Sequence, residues 1–191
     1  MNRPALRPIA LALAALFVGA AAQAAPFTVK AYENSSSGGT GLATISLQAG
    51  ESFSVSVGSD DLWSAGALPR WSNADGLTGN RYATGSDESG ESASTLIGSN
   101  FGLYAQGNLA AAYGTLVGQI GAGDYFVVGT SFNGVAAASG MLNLYYWDSN
   151  FSDNAGAITA NVTAVPEPET YALLLAGLGA LGFVARRRRP V

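Results

Sequence analysis

Ser52-Phe53-Ser54-Val55-Ser56-Val57 and Ile158-Thr159-Ala160-Asn161-Val162 place an apolar side chain at every second position, with a small polar one between. Side chains on a strand alternate between faces, so each segment can bury one face and leave the other to water. Runs of strand composition also occupy 27–32, 43–47, 95–97, 116–120, 125–128 and 141–147, and the second quoted segment extends over 158–165. Gly50, Gly121-Ala122-Gly123 and Asn133-Gly134 fall between these runs as turn signals. Residues 35–41 and 85–94 read as loops, the latter acidic through Asp87, Glu88 and Glu91. About eight short strands and no long amphipathic helix predict an all-β fold, a two-sheet sandwich with jelly-roll-like topology. No internal repeat is visible, and 25–164 reads as one domain.

Composition narrows the chemistry. A chain of 191 residues that is 48% hydrophobic has room for a buried core, and 25 glycines with only 12% charged residues suit strands joined by tight turns. The chain has neither cysteine nor histidine. Thiolate nucleophiles, disulfides, a Ser-His-Asp triad and His-rich transition-metal sites are therefore excluded. The formal net charge of -4 conceals a segregation: 25–170 holds Lys30, Arg70 and Arg81 against all thirteen acids, a net charge of -10. Such a body repels phosphate backbones, so no nucleic-acid partner is expected and a divalent cation fits better.

The two ends carry addresses. Residues 1–24 read as a secretory signal peptide: basic Arg3 and Arg7, an apolar run over 9–22, and Ala22-Gln23-Ala24 before a cut at Ala25. A membrane anchor is the alternative, but the run is shorter than the roughly 20 residues that a spanning helix needs. At the other end, 165–191 comprises Pro166-Glu167-Pro168, a charge-free stretch over 171–185, and Arg186, Arg187, Arg188 and Arg189. The prolines keep the hinge extended. A 15-residue helix is only about 22 Å long, a gap that snorkelling arginines and local bilayer thinning can close. The arginines hold their end on the cytoplasmic side.

This tail resembles the PEP-CTERM sorting signal, in which a Pro-Glu-Pro motif, an apolar helix and an arginine cluster stand in fixed order. The resemblance implies an exosortase and the secretion machinery as partners, and transient anchoring in the inner membrane of a Gram-negative cell. Cleavage near the motif then leaves the protein at the cell surface or in the extracellular polymer. A plain C-terminal anchor would account for the apolar run and the arginines, but not for Pro166-Glu167-Pro168.

The middle of the chain carries a second resemblance. Trp63-Ser64-Ala65-Gly66, Trp71 to Gly76, Tyr113 to Gly121, Tyr125 to Gly129 and Gly140 to Gly156 follow the order of blocks in the calcium-dependent, galactose-binding LecA-type lectins. The resemblance implies a Ca²⁺ ion held by Asp148, Asp153 and Asn154, with carbonyls from that loop and from near Ala65 and Gly66. It also implies a sugar site of Trp71, Asn73, Asp75, Asp148 and Asn154, taking galactosides or polysaccharide. The histidine of the type lectin, in the loop matching 71–76, has no counterpart here.

The residues themselves allow each of these readings and a plainer one. A short loop rich in Asp, Asn and carbonyls supplies the hard oxygens that Ca²⁺ prefers, yet the same residues close hairpins as Asx-turns without metal. Trp63, Trp71 and Trp147 suit either a sugar face or the core. Asp60-Asp61 and Asp87-Glu88 have the residue types of a glycosidase pair, but neighbouring side chains diverge and both pairs sit in polar loops, so no enzyme is expected. The sequence therefore predicts an exported carbohydrate-binding module. The alternative is a structural matrix protein that keeps the sandwich without binding sugar.

Overall fold

The computed structural model describes residues 24–165 and 176–182. The expected signal peptide up to residue 23, Pro166-Glu167-Pro168 and Arg186 to Arg189 lie outside the described residues, and of the expected 171–185 helix only 176–182 is described, as helix. No helix among the described residues is long and apolar enough to cross a membrane.

Among the described residues fourteen strands carry the fold: β1 (Ala24–Lys30), β2 (Leu42–Leu47), β3 (Ser52–Val57), β4 (Trp63–Ser64), β5 (Trp71–Ser72), β6 (Arg81–Tyr82), β7 (Leu96–Gly98), β8 (Leu103–Gln106), β9 (Leu109–Ala112), β10 (Leu116–Ile120), β11 (Tyr125–Val127), β12 (Ser131–Val135), β13 (Gly140–Tyr146) and β14 (Ala155–Val165). One sheet runs β12-β3-β14-β4-β5, with β1 also paired to β14. The other runs β11-β10-β13-β2, and the pairs β6-β7 and β8-β9 form separate ribbons. The chain is an all-β sandwich.

Alternation drives the packing. Phe53, Val55 and Val57 of β3 and Ile158, Ala160 and Val162 of β14 turn inward, against Leu116 and Ile120 of β10 and Leu142, Leu144 and Tyr146 of β13. Each large apolar side chain removed from water in this layer contributes about 1.5–3 kcal/mol. Gly50 and Gly121, at φ +91 and +57, make the turns that their positions predict.

The structure departs from the sequence reading at Asn133-Gly134. This dipeptide does not turn; it lies inside β12, paired to Ser54 and Phe53 of β3. The reason is packing: a side chain at Gly134 would meet the Phe132 ring, so glycine lets that ring lie over its own strand and reach Phe53 and Phe126. β4, β5, β6, β8, β9 and β12 add to the expected strands; β4, β5 and β6 have two residues each, too few to display a period.

Register also defines two ends of the sandwich. Ala24 lies opposite Thr163, and Val165 lies opposite Ser52, which in turn faces Val135. At the other end Ala155 pairs with Ser64, and Ser64 with Trp71. The quoted segments thus lead from the pole where the chain enters and leaves to the pole that carries the loops of interest.

Candidate functional site

The loop between β13 and β14 follows buried Trp147 and contains one 3-10 turn, Phe151–Asp153. Asn150 caps that turn, its side-chain oxygen accepting from the Ser152 amide. Asp148 is only 4% exposed. Burial pushes its carboxyl above the usual range and the nearby Asp153 charge adds to the rise, while hydrogen bonds from the Ser149 and Asn150 backbones and the Asn154 amide oppose it. The Ser149 amide donates to Asp148 Oδ1 at 2.7 Å.

Asn154 is buried as well. Its Nδ2 donates to the Ala31 carbonyl at 3.2 Å, while its Oδ1 is buried with no hydrogen-bond partner. Such an atom lacks the compensation that buried polar groups ordinarily find. Asp153 is more exposed, with Oδ1 accepting from Asn150 Nδ2 at 2.9 Å. A side chain at Gly66 would collide with Asp153 Oδ2, so the glycine admits this loop against the Ala65-Gly66 backbone. Of the three oxygen-bearing residues expected in the loop, Asp153 meets that backbone, while Asp148 and Asn154 are buried beside each other. Among the described residues no three His, Cys, Asp or Glu side chains cluster as a metal site, so an ion here would depend on amide and carbonyl oxygens as well.

The Trp71 to Gly76 loop emerges at the same end of the sheet. Trp71 pairs with Ser64 and Ser64 with Ala155, so Trp71 lies two strands, about 10 Å, from the end of the 148–154 loop. A polar cleft of about 440 Å³ opens beside it, lined by Trp71, Asn73, Asp75, Asn80, Arg81 and Tyr82 among others. Tyr82 is 56% exposed and offers an aromatic face. Asp148 and Asn154 do not line this cleft. The five expected sugar-site residues therefore share one pole but divide between a cleft and a loop.

The two polar members in the cleft, Asn73 and Asp75, also have internal partners. Asn73 Oδ1 accepts from the Asp75 amide and its Nδ2 donates to the Ser59 carbonyl. Asp75 Oδ1 accepts from the Thr130 amide at 2.7 Å and from its hydroxyl at 3.0 Å. Trp63 and Trp147 are core residues with no exposure, their indole N–H groups donating to the Gly114 and Tyr104 carbonyls. Trp71 alone of the three is partly exposed. The acid pairs have local uses: Asp61 Oδ2 accepts from the Thr159 amide, and Asp87 accepts from Thr84 and Ser89.

Sequence reasoning missed Arg70 and Phe101. The Arg70 guanidinium sits 4.4 Å from the centre of the Phe101 ring, and Phe101 packs edge-on against Tyr113, whose hydroxyl is 3.3 Å from Ser149 Oγ. An isolated arginine among many loop residues gives no periodic signal, and Phe101 lies 31 residues away in sequence from its cation.

The comparisons with known proteins bear on both halves of the chain. No curated protein matches it in sequence. A solved structure described as "EclA N-terminal domain; PllA-like lectin" is similar over 73% of this chain and 95% of its own, with 20% identity and a TM-score of 0.44. Residues 164–189 match the PEP-CTERM protein-sorting motif. The chain thus carries a PEP-CTERM protein-sorting motif following a β-sandwich.

Proposed function

We propose that this protein is exported, sorted by an exosortase through its tail, and placed at the cell surface or in extracellular polymer as a non-enzymatic carbohydrate-binding module of one domain, 25–164. The sorting motif at 164–189 supports export. The observation that carries the binding half is the unpartnered, buried Asn154 Oδ1 beside the buried Asp148 carboxylate, at the pole where the Trp71 cleft opens.

These residues fit a hard cation. Asp148, Asp153, Asn154 Oδ1 and the Ala65 carbonyl are all oxygen donors, the kind Ca²⁺ takes in sets of six to eight, with sugar hydroxyls and water completing the set. When bound, the ion supplies a fixed positive charge that orients hydroxyl oxygens. The chain's own residues do the rest. Trp71 and Tyr82 offer apolar faces to a sugar ring, Asn80 and Arg81 offer donors, and Ser149 and Asn150 hold the Asp148 carboxylate in place.

A structural matrix role is the second reading. It is favoured by the internal hydrogen bonds of Asn73 and Asp75, which leave those side chains less free for a ligand. A glycan array followed by titration of galactosides and polysaccharide fragments, with and without EDTA, separates the two. Binding that weakens on Asp148→Ala or Trp71→Ala is the expected result. Silence across the array overturns the carbohydrate reading in favour of the matrix role.

A further inference from the structure

Arg70 is held against the 148–154 loop through Asp153. Its backbone is anchored on both sides: its carbonyl accepts from the Ala65 amide at 3.0 Å, and it bridges to Gly98. Its Nη1 lies 3.4 Å from the Ala65 carbonyl and 3.6 Å from Asp153 Oδ2, and its guanidinium lies over Phe101. Asp153 therefore has one oxygen on Asn150 and the other facing Arg70. The contacts of the other two bases of 25–170 lie elsewhere, Lys30 on Glu33 and Arg81 near the Ser59 carbonyl. In a body with so few cations, this one is directed at the loop.

A guanidinium and a divalent ion draw on the same partners, a carboxylate and a carbonyl, and repel each other at a few ångströms. We propose that Arg70 is a built-in counter-cation of the 148–154 loop: it holds Asp153 against the Ala65 carbonyl without metal and must be displaced for Ca²⁺ to engage them. This rests on the reading of the loop as a calcium site. It adds that calcium binding is weak by construction, and is set by a side chain with no oxygen to donate.

The test uses calcium alone, titrated calorimetrically into the full chain in detergent, with melting temperature as a second readout. Arg70→Gln and Arg70→Met should each tighten the calcium dissociation constant by about two- to fivefold. Both should melt below the parent when calcium is withheld. Arg70→Lys keeps the charge though not the planar guanidinium, and should tighten calcium binding less than either neutral variant. Unchanged affinity in Arg70→Gln and Arg70→Met, or equal tightening in Arg70→Lys, overturns the proposal while leaving the calcium reading intact. If no variant takes up calcium, both the proposal and the calcium reading fall, and the glycan array still decides carbohydrate binding.

Discussion

Asp87 and Asp148 are both loop aspartates, and their surroundings push them in opposite directions. Asp87 is partly exposed, and hydrogen bonds from the Ser89 hydroxyl and Thr84 amide lower its carboxyl to about 2. An unfolded aspartate titrates near about 3.9. Because the folded value is the lower one, whatever Asp87 adds to stability is present above about pH 4 and is lost as pH falls through about 2. A carbon-detected NMR titration should put its midpoint near 2 in the parent, and return it towards the ordinary aspartate value when Thr84 and Ser89 are both replaced by alanine. A midpoint near 4 in the parent rejects the assignment. Asp148 shifts upward because burial removes water that hydrogen bonds only partly replace. Asp148 could be singled out in the sequence because it ends an apolar run and opens an Asp/Asn-rich loop. Arg70 could not, because its meaning lies in Asp153, 83 residues away.

At the scale of elements, local pattern decides where packing only follows it and fails where packing overrides it. β3 and β10 occupy the limits that alternation and strand composition set, Ser52–Val57 and Leu116–Ile120. Asn133-Gly134 is the counterexample, a strong hairpin signal recruited into β12 by the aromatic cluster of Phe53, Phe126 and Phe132. Gly134→Val should raise the local strand propensity yet lower stability by about 1–3 kcal/mol, since the new side chain displaces the Phe132 ring. Urea unfolding checks this, and a stabilised Gly134→Val would mean that the ring is not packed over the strand. The same cluster lines an apolar cleft of about 480 Å³ with Ile120 and Val135.

Across the whole molecule, β14 sets the orientation. Its 11 residues, about 35 Å of strand, lead from the Asp148–Asn154 loop to Val165, the second residue of the sorting motif. β1 returns antiparallel beside it, so Ala24 and the exit to the tail share one pole. The candidate loop and the Trp71 cleft lie at the opposite pole. A bulky thiol label on Ser152→Cys should leave tail cleavage unchanged in a cell-based processing assay. The same label on Ser52→Cys, opposite Val165, should slow it several-fold. Equal rates would separate the processing site from this pole.

What the sequence determined by itself was the class of fold, the main strands, the exclusion of histidine and cysteine chemistry, and the sorting tail. Each is written in a short window: alternation at period two, missing residue types, or one motif. Tertiary structure alone decided that Trp63 and Trp147 are core while Trp71 faces a cleft, that Asn154 keeps an oxygen without a partner, and that Arg70 reaches Asp153. Those facts depend on side chains far apart in the chain meeting in a packed interior, where solvent exclusion and shape, rather than local pattern, select the partner.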